Sequence, residues 1–313
     1  MTLHDTLTPE RACAALATLG IRLAPADVRL VCRDEKWFVQ LPGDRMAWFA
    51  ATATGRAAMA TERRLLRVLE ARCGFAVPRV LAESDEGEVD VRAMVPGTHD
   101  GDAVLARIRD EPDAAAQVGA ALGAILAEQH SCVGAGDVAG WLPRWPSWPE
   151  PRSWIRDRLP GVVADRALRA HADDVIAEYE ALQGQIAETD RALVHTDLGL
   201  HNVSIDPATL RVHGVFDWEA ACWADRHLDF RYLVLDVERP DVLNTAVAVY
   251  ERTTGFRVTR RRVCLYDAAC AIGYLAYRVG VPADQTWCGR TLAEDLSWTR
   301  QALARVQASP TNA

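Results

Sequence analysis

Two segments decide the fold of this chain: Leu193-Val194-His195-Thr196-Asp197-Leu198-Gly199-Leu200-His201-Asn202 and Val215-Phe216-Asp217-Trp218-Glu219. The first segment places the carboxylate of Asp197 and the carboxamide of Asn202 on one loop. The second supplies another carboxylate, Asp217. Carboxylate and carboxamide oxygens are hard ligands, which suit Mg²⁺ better than Zn²⁺.

The residues around these side chains predict a strand, a loop and a hairpin. Ala192–Val194 is a short apolar strand that enters the loop, and Val203–Ile205 leaves it. After a turn of composition Asp-Pro-Ala-Thr, Leu210–Phe216 returns as a strand. That return delivers Asp217 to the same end as Asp197. Because phosphoryl transfer depends mainly on positioning and metal charge, the arrangement indicates a small-molecule kinase.

At these residues the chain resembles the aminoglycoside phosphotransferase and choline kinase family, relatives of the protein kinases. The family's His-x-Asp-x-x-x-x-Asn loop is matched by His195, Asp197 and Asn202. Its Ile/Phe-Asp-Trp/Phe-Glu segment is matched by Phe216 to Glu219. The downstream segment Ala224-Asp225-Arg226-His227-Leu228-Asp229-Phe230 is similar to the family's Gly-Asp-Pro-x-x-Asp-Leu.

The resemblance implies an α+β, bilobal protein-kinase-like fold with a small five-stranded antiparallel sheet lobe and a larger α-helical lobe. We expect residues 1–95 to form the nucleotide-binding lobe and residues 96–313 the catalytic and substrate lobe. It further implies ATP or GTP as co-substrate, Mg²⁺ as cofactor, and a hydroxyl of an antibiotic or metabolite as acceptor.

The resemblance also assigns roles to single residues. Asp197 would accept or orient the proton of the acceptor hydroxyl, while Asn202 and Asp217 would bind Mg²⁺. Asp229 would support the catalytic loop through hydrogen bonds, and His195 would be structural rather than an acid or base. Glu219 is a further candidate for positioning the substrate or a second metal ion.

Local patterns predict the same division into a β-rich and an α-rich part. Thr8-Pro9-Glu10 starts a helix that ends at Gly20. Strands are predicted at 28–32, 37–41, 45–49, 80–81 and 89–94, with a helix from about 56 to 72. Val95-Pro96-Gly97 resembles the family's hinge, where a backbone group near Met94 would meet the base of the nucleotide. The remaining long segments have mainly helical periodicity.

The nucleotide side departs from the family. Glu62 lies within an apolar helical stripe, which is costly unless a cation meets it. Where a Lys or Arg is expected, the second and third strands offer Gln40, Trp48 and Phe49; Arg45 is the best replacement, and Lys36 and Arg56 are weaker. The hairpin Arg33-Asp34-Glu35-Lys36 has no glycine, and its acidic side chains would repel phosphates if they pointed inward.

Composition narrows the class of protein. The chain has 313 residues, half of them hydrophobic and a quarter charged, with a net charge of −8. An acidic chain without a basic stripe argues against nucleic acid as a partner. The N-terminus is not apolar, and the eight cysteines form no Cys-x-x-Cys pair. We therefore expect a cytoplasmic protein without a signal peptide or membrane span.

Two alternatives stay open. A catalytically degenerate kinase-like protein that binds a nucleotide or small ligand is favoured by the absent glycines and lysine, and opposed by Asp197, Asn202 and Asp217. A metal-dependent hydrolase would need more His and carboxylate ligands nearby, for which His201 and His213 are the extra candidates.

Overall fold

The computed structural model describes residues 7–33, 35–97, 101–235 and 239–309. By its internal contacts the chain divides into two compact units. The first unit comprises Met1–Val104, Gly136–Leu142 and Leu200–Glu219. The second comprises Leu105–Ala135, Pro143–Gly199 and Ala220–Ala313. That residues 1–95 and 96–313 are separate domains stays a prediction.

The described residues form a strand-rich first part and a mostly helical remainder that contains four short strands. In chain order the strands are β1 (Leu30–Arg33), β2 (Lys36–Leu41), β3 (Arg45–Ala50), β4 (Arg79–Glu83), β5 (Val89–Ala93), β6 (Arg191–Val194), β7 (Val203–Ile205), β8 (Val212–Val215) and β9 (Cys222–Asp225). The helices are α1 (Pro9–Thr18), α2 (Ala53–Arg72), α3 (Gly101–Asp110), α4 (Pro112–Cys132), α5 (Ala135–Val138), α6 (Arg152–Arg158), α7 (Arg166–Gln183), α8 (Tyr232–Leu235), α9 (Pro240–Thr254), α10 (Arg260–Tyr277) and α11 (Leu292–Ala308).

In the first unit, β1 to β5 form one antiparallel sheet in the order β1-β2-β3-β5-β4. Successive side chains of a strand point to opposite faces, so each strand contributes to both sides of the sheet. One face is buried with α1 in a shared hydrophobic core, made by Leu16, Val39, Leu41, Ala47, Phe49, Val89 and Val91. The side chains of the opposite face line a cavity.

Side-chain caps and turns fix where these elements begin. The Thr8 hydroxyl accepts a hydrogen bond from the Arg11 N–H at 3.3 Å, and proline follows it at the start of α1. The Thr52 hydroxyl caps α2 in the same way, accepting from the Gly55 N–H at 2.9 Å. The first strand begins at Leu30, two residues later than expected, and a short 3₁₀ turn at Pro25–Asp27 precedes it.

The hairpin of β7 and β8 belongs to the first unit and is attached to the segment after α2. Val203 pairs with Val215 in the hairpin. The Val215 N–H donates to the Ala76 carbonyl at 2.9 Å, and the Ala76 N–H donates to the His213 carbonyl at 3.1 Å. A Cβ at Gly214 would lie 2.0 Å from the Ala76 oxygen, so this approach requires glycine.

The second unit is built on buried helices and one short sheet. β6 pairs antiparallel with β9, and α10 packs against α6, α7 and α11. Helices α4 and α9 approach closely: a Cβ at Gly119 would lie 2.5 Å from the Val242 carbonyl oxygen, and one at Gly123 would lie 2.4 Å from that of Ala246. The predicted α+β fold, with its five-stranded antiparallel sheet and helical remainder, is confirmed.

Candidate active site

The end of the β7–β8 hairpin brings Asn202 and Asp217 to one place in the first unit. Asn202 directly precedes β7, and the Phe216 N–H donates to its carbonyl at 3.0 Å. Asn202 is buried, whereas Asp217 is half-buried and has the left-handed backbone conformation, with φ of 66°. A residue with a Cβ adopts this conformation only when its surroundings hold it there. The hairpin therefore fixes two hard oxygen donors at the same end.

A cavity of about 830 Å³ opens on the free face of the sheet, wholly within the first unit. Ring contacts shape one part of it: Phe38 meets the edge of Trp48 at a centroid distance of 4.4 Å. Its charged lining residues are Arg29, Arg33, Lys36, Glu62, Arg92, Asp217 and Glu219. The cavity combines apolar surface with charge of both signs, and its size suits a small-molecule ligand.

Glu62 is paired with Arg92, a residue that the sequence analysis missed. Glu62 is 2% exposed, and its Oε2 lies 2.8 Å from Nη1 of Arg92 on β5. The same guanidinium binds Asp90 at 3.0 Å, and Asp90 in turn lies 3.1 Å from Arg63. Charged residues two positions apart in the apolar strand Val-Asp-Val-Arg-Ala share one face. That pattern is the signal from which Arg92 could have been found.

The predicted pairing of Glu62 with Arg45 is wrong. Arg45 follows a tight turn at the start of β3, and its Nε donates to the Pro42 carbonyl at 2.8 Å. Arg92 reaches Glu62 because β5 lies next to β3 in the sheet, with Arg92 opposite Met46 on the cavity side. This neighbour relation joins strands that are distant in sequence.

Glu62 and Arg92 are both charged in the folded protein. Burial acts to raise the pKa of Glu62, but the charges of Arg92 and Lys36 and a backbone hydrogen bond from Trp218 hold it below its ordinary value. Burial likewise acts to lower the pKa of Arg92, and the nearby Glu62 and Asp90 raise it overall. Glu62 is therefore ionised in the folded protein.

The other buried cation of the cavity is Lys36, whose Nζ pairs with Glu219. Lys36 lies 5.2 Å from the Trp48 ring centroid, and the guanidinium of Arg92 lies 4.4 Å from it. Trp48 thus occupies the cavity side of β3 where a basic residue was expected, with a cation on either side.

The glycine-free hairpin keeps its described acidic side chain out of the cavity. Glu35 accepts a hydrogen bond from the Thr52 hydroxyl at 2.9 Å, which ties it to the start of α2. A Cβ at Gly55 would lie 2.3 Å from the Glu35 carbonyl oxygen, so the two segments are in close contact. Asp34 lies outside the described residues.

Met94 lines the cavity, but its amide is already used. The Met94 N–H donates to the Asp44 carbonyl at 2.8 Å. The turn before β3 therefore takes this one donor. That backbone groups near Met94 meet the base of a nucleotide stays a prediction.

In the second unit, Asp229 is the centre of a buried hydrogen-bond network. It is 1% exposed and accepts from the backbone N–H groups of His195 at 3.0 Å and Thr196 at 2.9 Å. Gln129 donates to it at 2.8 Å, and Nε2 of His130 lies 3.2 Å away. Gln129 and His130 are consecutive polar residues near the end of α4, which is otherwise rich in small and apolar residues; that contrast was the available signal.

The protonation states in this network follow from its charges. Burial acts to raise the pKa of Asp229, but the hydrogen bonds that it accepts from the His130 side chain and the His195 backbone help to lower it overall. Burial lowers the pKa of His130, with Asp229 only partly opposing the effect. An ionised Asp229 can only accept, so a neutral His130 donates from Nε2 and accepts at Nδ1 from the Tyr250 hydroxyl, 3.0 Å away.

Asp197 lies on the loop that this network supports. Its side chain is half-buried and accepts a hydrogen bond from the Tyr232 hydroxyl. Its N–H donates to Nδ1 of His195 at 3.2 Å, so that fully buried ring binds its own loop. The guanidinium of Arg231 donates to the Thr196 carbonyl at 2.5 Å. Sequence reasoning missed Arg231 and Tyr232, which follow directly after the Asp-Phe pair of the downstream segment.

The comparison with known sequences gives one family. The sequence model described as "Phosphotransferase enzyme family" (APH) matches residues 29–266, about three quarters of the chain. This match confirms the predicted resemblance. No curated protein matches the sequence.

Solved structures of similar fold carry low sequence identity. The GDP complex of wild-type aminoglycoside 2'-phosphotransferase-IIIa has a TM-score of 0.68 and 16% identity, covering 94% of this chain and 97% of that one. A macrolide 2'-phosphotransferase from Brachybacterium faecium has a TM-score of 0.61 and 17% identity, covering 97% and 100%. The streptomycin–ATP ternary complex of APH(2")-IIa has a TM-score of 0.61 and 16% identity, covering 96% and 99%. At these identities the likeness shows the fold.

Among the described helices, none has both the length and the apolar composition needed to cross a bilayer. Within the same residues, no three His, Cys, Asp or Glu side chains gather as a metal-ion site.

Proposed function

The chain belongs to the phosphotransferase enzyme family, and on that premise we propose that it transfers the γ-phosphoryl group of ATP or GTP to a hydroxyl of a small molecule, with Mg²⁺. The observation that carries the proposal is the cavity of the first unit, which joins apolar and aromatic surface to Asp217, Glu62 and their cationic neighbours. A nucleotide needs the same combination: a flat apolar surface for the base, and cations and metal ligands for the phosphates.

Asn202 and Asp217 are the residues proposed to hold Mg²⁺. Their carboxamide and carboxylate oxygens are the donor types that Mg²⁺ prefers, and the β7–β8 hairpin presents both at one end. When bound, the ion neutralises charge on the phosphates and helps to orient them. Asp217 also lines the cavity, which supports its assignment to the metal at the proposed nucleotide site.

Asp197 is the residue proposed to orient the acceptor hydroxyl and accept its proton. It is held on a loop whose backbone is fixed by Asp229, and its side chain can accept hydrogen bonds, as its contact with Tyr232 illustrates. Asp229, His195 and Arg231 are proposed to position this loop rather than to contact reacting atoms. Glu62 is proposed to act on the nucleotide side with Arg92 as its partner.

The acceptor class most strongly supported is an antibiotic hydroxyl. Structures of the same fold include proteins described as aminoglycoside and macrolide 2'-phosphotransferases, one of them bound to streptomycin and ATP. Both antibiotic classes, together with metabolite alcohols, are therefore the first acceptors to test.

The test is a screen of acceptors by nucleotide consumption, with ATP and with GTP. We expect acceptor-dependent production of the nucleoside diphosphate by the wild type and none by Asp197→Ala, whose nucleotide affinity should be nearly unchanged. Loss of nucleotide binding in Asp197→Ala would contradict the role given to that residue.

A non-catalytic protein that binds nucleotides is the second candidate. The observation in its favour is that Trp48 replaces a basic residue on β3 and that Arg92 is engaged by two carboxylates. Saturable nucleotide binding with no turnover on any acceptor, and with no loss of binding in Asp217→Ala, would favour this candidate over the kinase.

A further inference from the structure

The cavity has an unusual distribution of cations for a site that is to bind phosphates. The cavity face of β3 presents Met46 and Trp48, so this strand offers no positive charge. Of the described basic residues that line the cavity, Arg29 and Arg33 are exposed, and only Lys36 and Arg92 are buried. A phosphate-binding cation with a fixed position must therefore be one of these two.

Arg92 is already neutralised by its neighbours. It is 1% exposed, and its guanidinium contacts both Glu62 at 2.8 Å and Asp90 at 3.0 Å. Withdrawing it to bind phosphate would leave buried carboxylates without their partner, which is strongly unfavourable. Arg92 is consequently a structural cation of the cavity wall.

Lys36 has a different environment. Its side chain is 7% exposed, and its described ion-pair partner is Glu219, whose side chain is 38% exposed. A buried ammonium group needs an anion or acceptors close by. Glu219 supplies that anion from a position that reaches water, so it can leave Lys36 and be solvated at low cost. An incoming anion can therefore displace the Glu219 carboxylate from Lys36.

We propose that Lys36 is the cation that binds the nucleotide phosphates, and that Glu219 holds its ammonium group until a phosphate replaces the carboxylate. This inference rests on the proposed function. Phosphate oxygens then accept the hydrogen bonds that the carboxylate oxygen accepts in the structure, and no covalent change is involved. Glu219 therefore sets nucleotide affinity by competing with the phosphates for the same cation.

The competition predicts opposite effects for the two partners. Lys36→Met removes a charge-assisted hydrogen bond to phosphate and should weaken ADP and ATP binding about tenfold. Glu219→Gln removes the competing anion and should strengthen ADP binding about fivefold, because the phosphates then no longer have to displace a carboxylate from Lys36. Neither change should alter the affinity for the nucleoside, which has no phosphate.

The experiment measures nucleoside, diphosphate and triphosphate affinities by calorimetry, for adenine and guanine, with and without Mg²⁺. Glu83→Gln is the matched control, because Glu83 likewise pairs with a buried cation, that of Arg63, has a side-chain exposure of 40% and does not line the cavity. Lys36→Arg should recover part of the affinity that Lys36→Met loses.

Tighter diphosphate binding by Glu219→Gln without Mg²⁺, unmatched by Glu83→Gln, is the expected result. Unchanged or weaker binding by Glu219→Gln overturns the inference, and weakening seen only with Mg²⁺ assigns Glu219 to the metal instead. A wild type that binds no nucleotide contradicts the proposed function itself, which separates the two failures.

Discussion

The carboxylate of Asp229 accepts a hydrogen bond from the backbone N–H of His195 at 3.0 Å. A fully buried acid thereby fixes the loop two residues before Asp197, and it does so through the backbone rather than through the His195 ring. The acid is kept ionised by donors from α4 and from the loop. The position of the Asp197 loop therefore depends on the charge state of a buried group beside it.

The first prediction concerns pH and His130. Its pKa is lowered in the folded state, so between that value and the unfolded value of about 6.5 the unfolded chain binds more protons. Stability should therefore fall as pH decreases below about 6.5. His130→Gln, which keeps a donor for Asp229, should reduce this slope in urea titrations across pH 5–7.5.

Several groups face His130 and share its response: Asp229, Tyr250, Arg226 and His227. Asp229, whose pKa is lowered, adds stability that is present above about pH 3.9 and lost as pH falls through its folded pKa. The effects of His130 and Asp229 on stability therefore fall in different pH ranges. An identical slope in wild type and His130→Gln would contradict the assignment to His130.

The second prediction concerns the partner of Glu62. Arg92→Met leaves Glu62 and Asp90 without the guanidinium that joins them, so unfolding free energy should fall by about 3–5 kcal/mol. Arg45→Met removes a partly exposed side chain and should cost less than about 1 kcal/mol. Urea denaturation measures both. Equal costs would mean that Arg92 does not hold the buried pair.

The third prediction concerns the close approach at Gly214. Gly214→Ala places a Cβ against the Ala76 carbonyl and should cost about 1–3 kcal/mol. It should also weaken Mg²⁺-nucleotide binding, because Asp217 follows two residues after the end of β8. Gly136→Ala is the matched control, since nothing lies within 4 Å of its added Cβ. A Gly214→Ala protein as stable as Gly136→Ala would contradict the contact.

The fourth prediction concerns Tyr232. Burial raises the pKa of its hydroxyl, so it stays protonated and donates to Asp197. Tyr232→Phe removes that donor and should lower kcat between about 10- and 100-fold through loss of positioning. The KM for nucleotide should change little. A drop confined to KM for nucleotide would show that Tyr232 acts elsewhere.

Much of the fold could be predicted because its signals are local. The cap at Thr8, the turn at Gly43 and the alternation in β2 and β3 depend on residues close in sequence. The motif around Asp197 and Asp217 was found for the same reason, since one hairpin connects its parts. The spacing of apolar residues and the identity of the turn residues were enough to predict these elements.

The charge pairs could not be predicted, because they depend on long-range topology. Arg92 meets Glu62 only because β5 inserts beside β3, ahead of β4 in the sheet order. Lys36 and Glu219 are 183 positions apart. Arg45 was a reasonable choice from strand position, but nothing local indicated that the preceding turn would take its Nε.

The most direct measurement of the central claim is a binding isotherm for ATP and GTP, with and without Mg²⁺, on wild type and Asp217→Asn. We expect saturable wild-type binding that Mg²⁺ strengthens, and a Mg²⁺ effect that disappears in Asp217→Asn while Mg²⁺-free binding persists. Absence of wild-type binding to either nucleotide, or an unchanged Mg²⁺ effect in Asp217→Asn, would contradict the account.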